Sequence, residues 1–226
     1  MSGSMVQFAA NGHTCDGYLA IPATGSGPGV IVVQEWWGLV DHIKSLADRF
    51  AAEGFVALAP DLYHGERTTS PDQAGKLLMA LNIDGAGKDM RGAAAYLRAS
   101  SVVNPSKVAI LGFCMGGQLA LYAGQEHPDV IDAAVDFYGI HPKVEIVPAK
   151  VKVPVLGHFA TRDRGVPLDG VHAMAAAVKK AGGSFDVHEY EADHAFFNDT
   201  RPQVYDGPAA TLAFSRTLAF LRKVLT

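Results

Sequence analysis

The stretch Gly112-Phe113-Cys114-Met115-Gly116-Gly117 follows the apolar run Val108-Ala109-Ile110-Leu111 and precedes Gln118-Leu119-Ala120-Leu121-Tyr122-Ala123, which is rich in helix formers. It reads as a buried strand, a sharp turn and a helix. A turn that lifts one side chain off the end of a strand crowds the backbone two residues before and two residues after it, and Gly112 and Gly116 occupy those positions. The pattern is a nucleophile elbow with cysteine where serine is commoner. A thiol at a helix N-terminus faces unsatisfied N–H groups and the positive end of the helix dipole, which favour thiolate. Cys114 is therefore read as a nucleophile in preference to a buried structural cysteine.

Outward from the elbow, Val6 to Phe8 and Thr14 to Ile21 alternate around Asn11-Gly12, which predicts a β-hairpin. Gly29 to Gln34 is a continuous β-branched run suited to a strand covered on both faces. Ile43, Leu46, Ala47 and Phe50 recur at helical spacing, Gly54 closes that helix, and Phe55 to Ala59 is the next strand. Strand, helix, strand with this punctuation is a right-handed parallel unit. Leu62 to Ser70 is a polar excursion, and helices are predicted over 71–81 and 84–98. Further strands are predicted over 132–139, 151–159 and 184–190, with helices over 168–181 and 203–224. The expected architecture is one α/β domain over 1–226, a mostly parallel, doubly wound sheet of about seven or eight strands flanked by helices. Met1 to Ser4, preceding a second methionine, are read as a remnant outside the fold.

Composition narrows the function. With 49% hydrophobic and 19% charged residues and a net charge of −4, the chain reads as a soluble globular protein without a nucleic-acid or anionic-membrane surface. Two cysteines cannot build a disulfide framework, which suits a reducing compartment. No apolar run reaches membrane-spanning length and no basic, then apolar, leader is evident, so a cytoplasmic location is expected. No His/Cys/Asp spacing suggests zinc, and no Gly-rich phosphate loop occurs, so neither a metal nor an organic cofactor is expected. The partner is a small molecule, and the chain is expected as a monomer or small homo-oligomer.

A cysteine nucleophile needs a base, and the base needs an orienting carboxylate. Asp163 follows the strand ending at Phe159, and His194 follows the last strand, so both leave the same rim of the sheet as Cys114, in the order nucleophile, acid, histidine. His194 is read as the base and Asp163 as its orienter, ahead of Asp193 and Glu191. Glu35 ends the apolar strand before Trp36 and Trp37, where burial raises a carboxyl unless it is paired. The backbone N–H groups of Trp36 and Met115 are placed to form an oxyanion hole; Trp37 is read as a core indole. Among the other histidines, His64 and His158 stand nearest strand ends and are candidates to line the pocket, whereas His13, His42, His127, His141, His172 and His188 read as solvated or capping.

Gln34-Glu35, Pro60-Asp61-Leu62-Tyr63, the Gly112 to Gly117 elbow, Phe137-Tyr138-Gly139, Asp163 and His194-Ala195-Phe196 together resemble the dienelactone hydrolase family, the carboxymethylenebutenolidase-like α/β-hydrolases. The resemblance runs from about Gly12 to the last helix. It implies a Cys114, His194, Asp163 triad cleaving small esters or lactones through a thioester, with Glu35 contacting the resting thiol. Tyr63, Tyr138, Phe196, Asn198 and Arg201 become candidate substrate contacts. The family places substrate-binding arginines four residues after the histidine, here Asn198, and near Pro71; Arg67, Arg162, Arg164 and Arg201 are the nearby substitutes. A thiol of this kind also suits a non-catalytic or redox-sensing relative, or an acyltransferase. Whether residues 62–81 form a lid is left open.

Overall fold

The computed structural model describes residues 3–226. Eight strands form one sheet: β1 (Ser4–Ala10), β2 (His13–Ala20), β3 (Gly27–Val33), β4 (Val56–Pro60), β5 (Val103–Phe113), β6 (Ala133–Phe137), β7 (Val155–Ala160) and β8 (Phe185–Tyr190). Their spatial order is β1-β2-β4-β3-β5-β6-β7-β8, with β2 antiparallel to both β1 and β4 and every other pair parallel. Six helices cover it: α1 (Asp41–Ala52), α2 (Pro71–Ala80), α3 (Ile83–Ala99), α4 (Met115–Glu126), α5 (Leu168–Lys180) and α6 (Gly207–Leu225). This is the doubly wound α/β-hydrolase architecture expected from the sequence.

The strands alternate their side chains between two cores because the pleat has a period of two. Ile31, Val33, Val108 and Ile110 face α3, α4 and α5 through Met90, Leu97, Leu119 and Val178. Val30, Val32, Ala109 and Leu111 face α1 and α6 through Ile43, Leu46, Phe50 and Leu221. Burial on both faces explains why β3 to β6 read as nearly unbroken apolar runs. None of the described helices is long and apolar enough to cross a membrane.

Several boundaries shift by a residue or two, and three differences have a clear cause. Residues 151–154 are not strand, since Pro154 has no N–H for a ladder and β7 begins at Val155. The last helix starts at Gly207 rather than 203, where Asp206 caps it by accepting the Ala209 N–H at 3.0 Å and Pro208 suits the first turn. Of the residues set outside the fold, Met1 and Ser2 lie outside the described ones, but Ser4 opens β1 and the Gly3 N–H donates to Asp48 Oδ1 at 2.9 Å.

The sheet reverses its winding at β3, which has β4 on one side and β5 on the other. Ligands of open α/β sheets bind outside the carboxyl ends of strands at such a switch point. Register pairs Val33 with Gly112, so Gln34, Glu35 and Trp36 emerge beside Phe113, Cys114 and Met115. Phe113 pairs with Phe137, Phe137 with His158, and Ala160 with Tyr190, so the loops carrying Asp163 and His194 leave the same rim.

Candidate active site

The elbow is built by backbone crowding. A Cβ on Gly112 would stand 2.0 Å from Gly116 O, and one on Gly116 would stand 2.4 Å from Gln34 O, so neither position admits a side chain. Cys114 is consequently held at φ 55°, ψ −121°, a region most residues avoid. Its N–H donates to Phe137 O at 3.0 Å, and its carbonyl accepts the Gly117 and Ile140 N–H groups at 3.0 and 3.2 Å. Those bonds pin the cysteine to β6 and to the first turn of α4. The Met115 N–H, in that first turn, has no intrahelical acceptor and points out of the helix start.

His194 Nδ1 and Asp163 Oδ2 are 2.5 Å apart. Asp163 Oδ1 accepts the Gly165 and Val166 N–H groups at 2.8 and 3.1 Å, which fixes the carboxylate. Burial by itself would raise the Asp163 carboxyl, but the His194 contact and these two amides hold it below its ordinary value. Burial likewise disfavours charge on His194, yet the Asp163 hydrogen bond and then the facing Cys114 thiol outweigh it and lift the imidazole to about 10. The rival orienters are engaged elsewhere, since Asp193 and Glu191 stand 3.4 and 3.9 Å from Arg162.

Glu35 is 2% exposed. Its Oε2 accepts from Asn198 Nδ2 at 2.8 Å, while Oε1 is buried without a hydrogen-bond partner. No hydrogen bond joins Glu35 to the Cys114 thiol; Asn198, brought near by the loop after His194, holds Oε2 instead. Burial raises the Glu35 carboxyl, opposed by the Asn198 bond and then by His194 and Arg201.

A cavity of about 460 Å³ collects Cys114, His194, Asp163, Glu35, Trp36, Trp37 and Arg201, walled further by Leu78, Ile140, Pro142 and Arg164. Ile140, Pro142 and Gly165 are shared with a second, apolar cavity of about 520 Å³ lined by Leu121, Val171, Met174 and Phe185. The structure thus brings together five residues singled out for chemistry, Cys114, His194, Asp163, Glu35 and Trp36, and one candidate substrate contact, Arg201, whose guanidinium lies 5.9 Å from the Trp37 ring centroid.

Four other substrate candidates do not line this cavity. Tyr138 and Phe196 are fully buried. The Tyr138 ring instead stands edge-on to His194 at 5.1 Å and backs the imidazole. Asn198 holds Glu35, and the Tyr63 hydroxyl lies 3.1 Å from Met115 Sδ under the elbow. His158 is also away from the cavity, buried between the Tyr190 hydroxyl at 2.8 Å and Thr217 Oγ1 at 2.9 Å, and His64 faces a different recess. Trp37, read from sequence as a core indole, is a cavity wall. Leu78, Ile140 and Pro142 carried no sequence signal: Leu78 sits within the apolar run Leu77 to Leu81 at the end of α2, and Ile140 and Pro142 lie in the loop after β6.

The profile of the dienelactone hydrolase family matches residues 15–225. The chain belongs to this family. It is a hydrolase. Among its relatives, Protein usf of Aquifex pyrophilus is 41% identical over 99% of this chain and 100% of that one. An Aquifex aeolicus protein provisionally named a carboxymethylenebutenolidase is 36% identical over 99% of both chains. The crystal structure of a Klebsiella pneumoniae protein provisionally assigned as a dienelactone hydrolase superposes with a TM-score of 0.85 at 30% identity, covering 96% of each chain.

Proposed function

We propose that this member of the dienelactone hydrolase family cleaves small carboxylic esters or lactones through Cys114, His194 and Asp163. One observation carries the reading: a cysteine held at φ 55° shares a cavity with an imidazole whose other nitrogen is 2.5 Å from a fixed carboxylate. An imidazole lifted to about 10 holds a proton at neutral pH, available for a leaving alkoxide.

The Cys114 sulfur attacks the carbonyl carbon, and the oxyanion that forms accepts hydrogen bonds from the Met115 and Trp36 N–H groups. As the carbon–oxygen bond breaks, His194 gives its proton to the leaving alkoxide, which departs from an ester or stays tethered in a lactone. His194 then removes a proton from water, the hydroxide attacks the thioester, and the thiolate leaves with release of the acid. Asp163 keeps the imidazole in the required tautomer. Arg201 and Arg164 line the cavity where the family arginines are missing, and they favour substrates bearing a carboxylate. The two free cysteines suit a cytoplasmic setting.

The test is rapid mixing with p-nitrophenyl acetate followed by mass spectrometry. An acetyl adduct on Cys114, together with loss of at least about a thousandfold in turnover for Cys114→Ala at unchanged melting temperature, is the expected outcome. Unchanged turnover in that variant would refute the proposal.

A further inference from the structure

Outside the active site, three chain segments bring metal-ligating groups to one point. His13 Nε2 lies 3.3 Å from Asp89 Oδ1, and His64 Nε2 lies 3.3 Å from Asp89 Oδ2. One ligand atom from each of the three residues falls within 4.8 Å of the others. They edge a recess of about 280 Å³ that Glu66 also lines.

Each group is positioned by its own backbone. Asn11 and Gly12, with φ of 49° and 79°, make the tight hairpin turn that sets His13 opposite Ala10 at the start of β2. Helix α3 carries Asp89 and packs on β1 so closely that a Cβ on Gly92 would stand 2.5 Å from Ala10 Cβ, so hairpin and helix cannot slide. His64 sits at φ 52° in a loop whose Tyr63 and Gly65 N–H groups donate to the Asp61 carboxylate at 3.1 and 2.8 Å.

The buried carboxylate points to a ligand. Asp89 is 1% exposed, and its Oδ1 makes no hydrogen bond although an imidazole nitrogen stands 3.3 Å away. A buried oxygen without a partner costs free energy and calls for an explanation. Close approach without hydrogen-bond alignment is the disposition of lone pairs that converge on a common cation rather than on each other. Donors about 2.1 Å from a tetrahedral zinc ion are themselves about 3.4 Å apart; each imidazole stands 3.3 Å from a different oxygen of Asp89, and one ligand atom from each residue lies within 4.8 Å of the others, so modest side-chain rotation brings the set to that spacing.

We propose that His13, His64 and Asp89 form a binding site for a divalent transition-metal cation of the zinc type, with water or Glu66 completing the coordination. Both imidazoles are exposed enough to rotate by the small amount that closure requires. Cys15 is not among the converging groups: it is fully buried, and its thiol donates to the Asp61 carbonyl at 3.7 Å. The cation clamps the hairpin, the loop after β4 and α3 together. His64 adjoins Tyr63, whose hydroxyl contacts Met115 beside Cys114, so the clamp braces the underside of the elbow. No sequence spacing announces the site because its ligands come from three separate elements.

The experiment titrates the purified full chain with Co²⁺, read by visible absorption, and with Zn²⁺, read by calorimetry and thermal melting. The expected result is one equivalent of Co²⁺ with bands of nitrogen and oxygen ligation, displaced by Zn²⁺, and a Zn²⁺-dependent rise in melting temperature. His13→Ala and His64→Ala each weaken binding by more than about tenfold, Asp89→Asn does the same, and Cys114→Ser leaves it unchanged. Circular dichroism of the metal-free variants separates lost ligation from lost folding, and the two histidines, being exposed, are the decisive pair. Absence of saturable binding, bands retained in both histidine variants, or a sulfur-to-cobalt charge-transfer band abolished by Cys114→Ser would each overturn the proposal.

Discussion

Asn198 Nδ2 donates to Glu35 Oε2 across 2.8 Å, joining the end of β3 to the loop after β8 inside the protein. The carboxylate at the edge of the cavity is thereby held on one oxygen while the other has no partner. Asn198→Ala removes the largest influence opposing burial and raises Glu35 further. A carboxyl whose folded pKa lies above its unfolded value favours the folded state below the unfolded value, and that contribution is lost as pH rises through the folded one. The variant is therefore expected to be destabilised by about 1–3 kcal/mol near pH 8 and by less near pH 5, measured by urea unfolding at both values. An equal loss at both pH values would show that Glu35 does not titrate through this contact.

The strain at Cys114 yields a separate expectation. A residue at φ 55° and ψ −121° costs about 1–3 kcal/mol relative to glycine in the same place, offset in part by the greater freedom of an unfolded glycine. Cys114→Gly is expected to be more stable than Cys114→Ala by about 1 kcal/mol while sharing its inactivity. Denaturant midpoints of the two variants give the comparison, and a less stable glycine variant would contradict it.

Loss of the carboxylate at Asp163 frees His194 from its strongest supporter. Asp163→Asn is expected to lower kcat/KM by about 10⁴, and to move the alkaline limb of the pH profile down from about 10 toward the ordinary imidazole range. The same raised pKa means that His194 contributes stability fully below 6.5 and loses it as pH climbs through about 10. In the variant that contribution is smaller, and the decline, still starting near 6.5, ends at lower pH. An unmoved alkaline limb would assign it to another group.

Arg201 lines the cavity with its guanidinium 5.9 Å from the Trp37 ring centroid. Arg201→Ala is expected to raise KM for a carboxylate-bearing ester or lactone by about ten- to a hundredfold, and to change KM for p-nitrophenyl acetate by less than about twofold. Parallel steady-state measurements on the two substrates decide this. Equal effects on both would assign Arg201 to packing against Trp37.

Much of the architecture was legible because local chemistry and global fold agree here. The Gly112 and Gly116 pair announced the elbow, and uninterrupted β-branched runs announced strands covered on both sides. Chain order then put Asp163 and His194 on the same rim as Cys114, where the strand register places their loops. What escaped was decided by contacts between distant residues. Nothing local distinguishes Asn198 as the partner of a glutamate 163 positions away, or Tyr138 as the backing of His194 rather than a substrate contact. Trp37 looked like a core indole because composition cannot tell a wall facing a cavity from one facing a helix.

The division of labour around Cys114 bears on how this enzyme can be diversified. The Cys114 sulfur rests on backbone that leaves no room for even one methyl group, whereas Trp37, Leu78, Ile140, Pro142, Arg164 and Arg201 stand outside the strands that carry the sheet's ladder. Replacing those walls leaves the hydrogen-bonded frame beneath untouched. Libraries confined to these six positions, with proline withheld from position 140 because its N–H holds the Cys114 carbonyl, can thus sample new substrates while every member keeps the same backbone around Cys114.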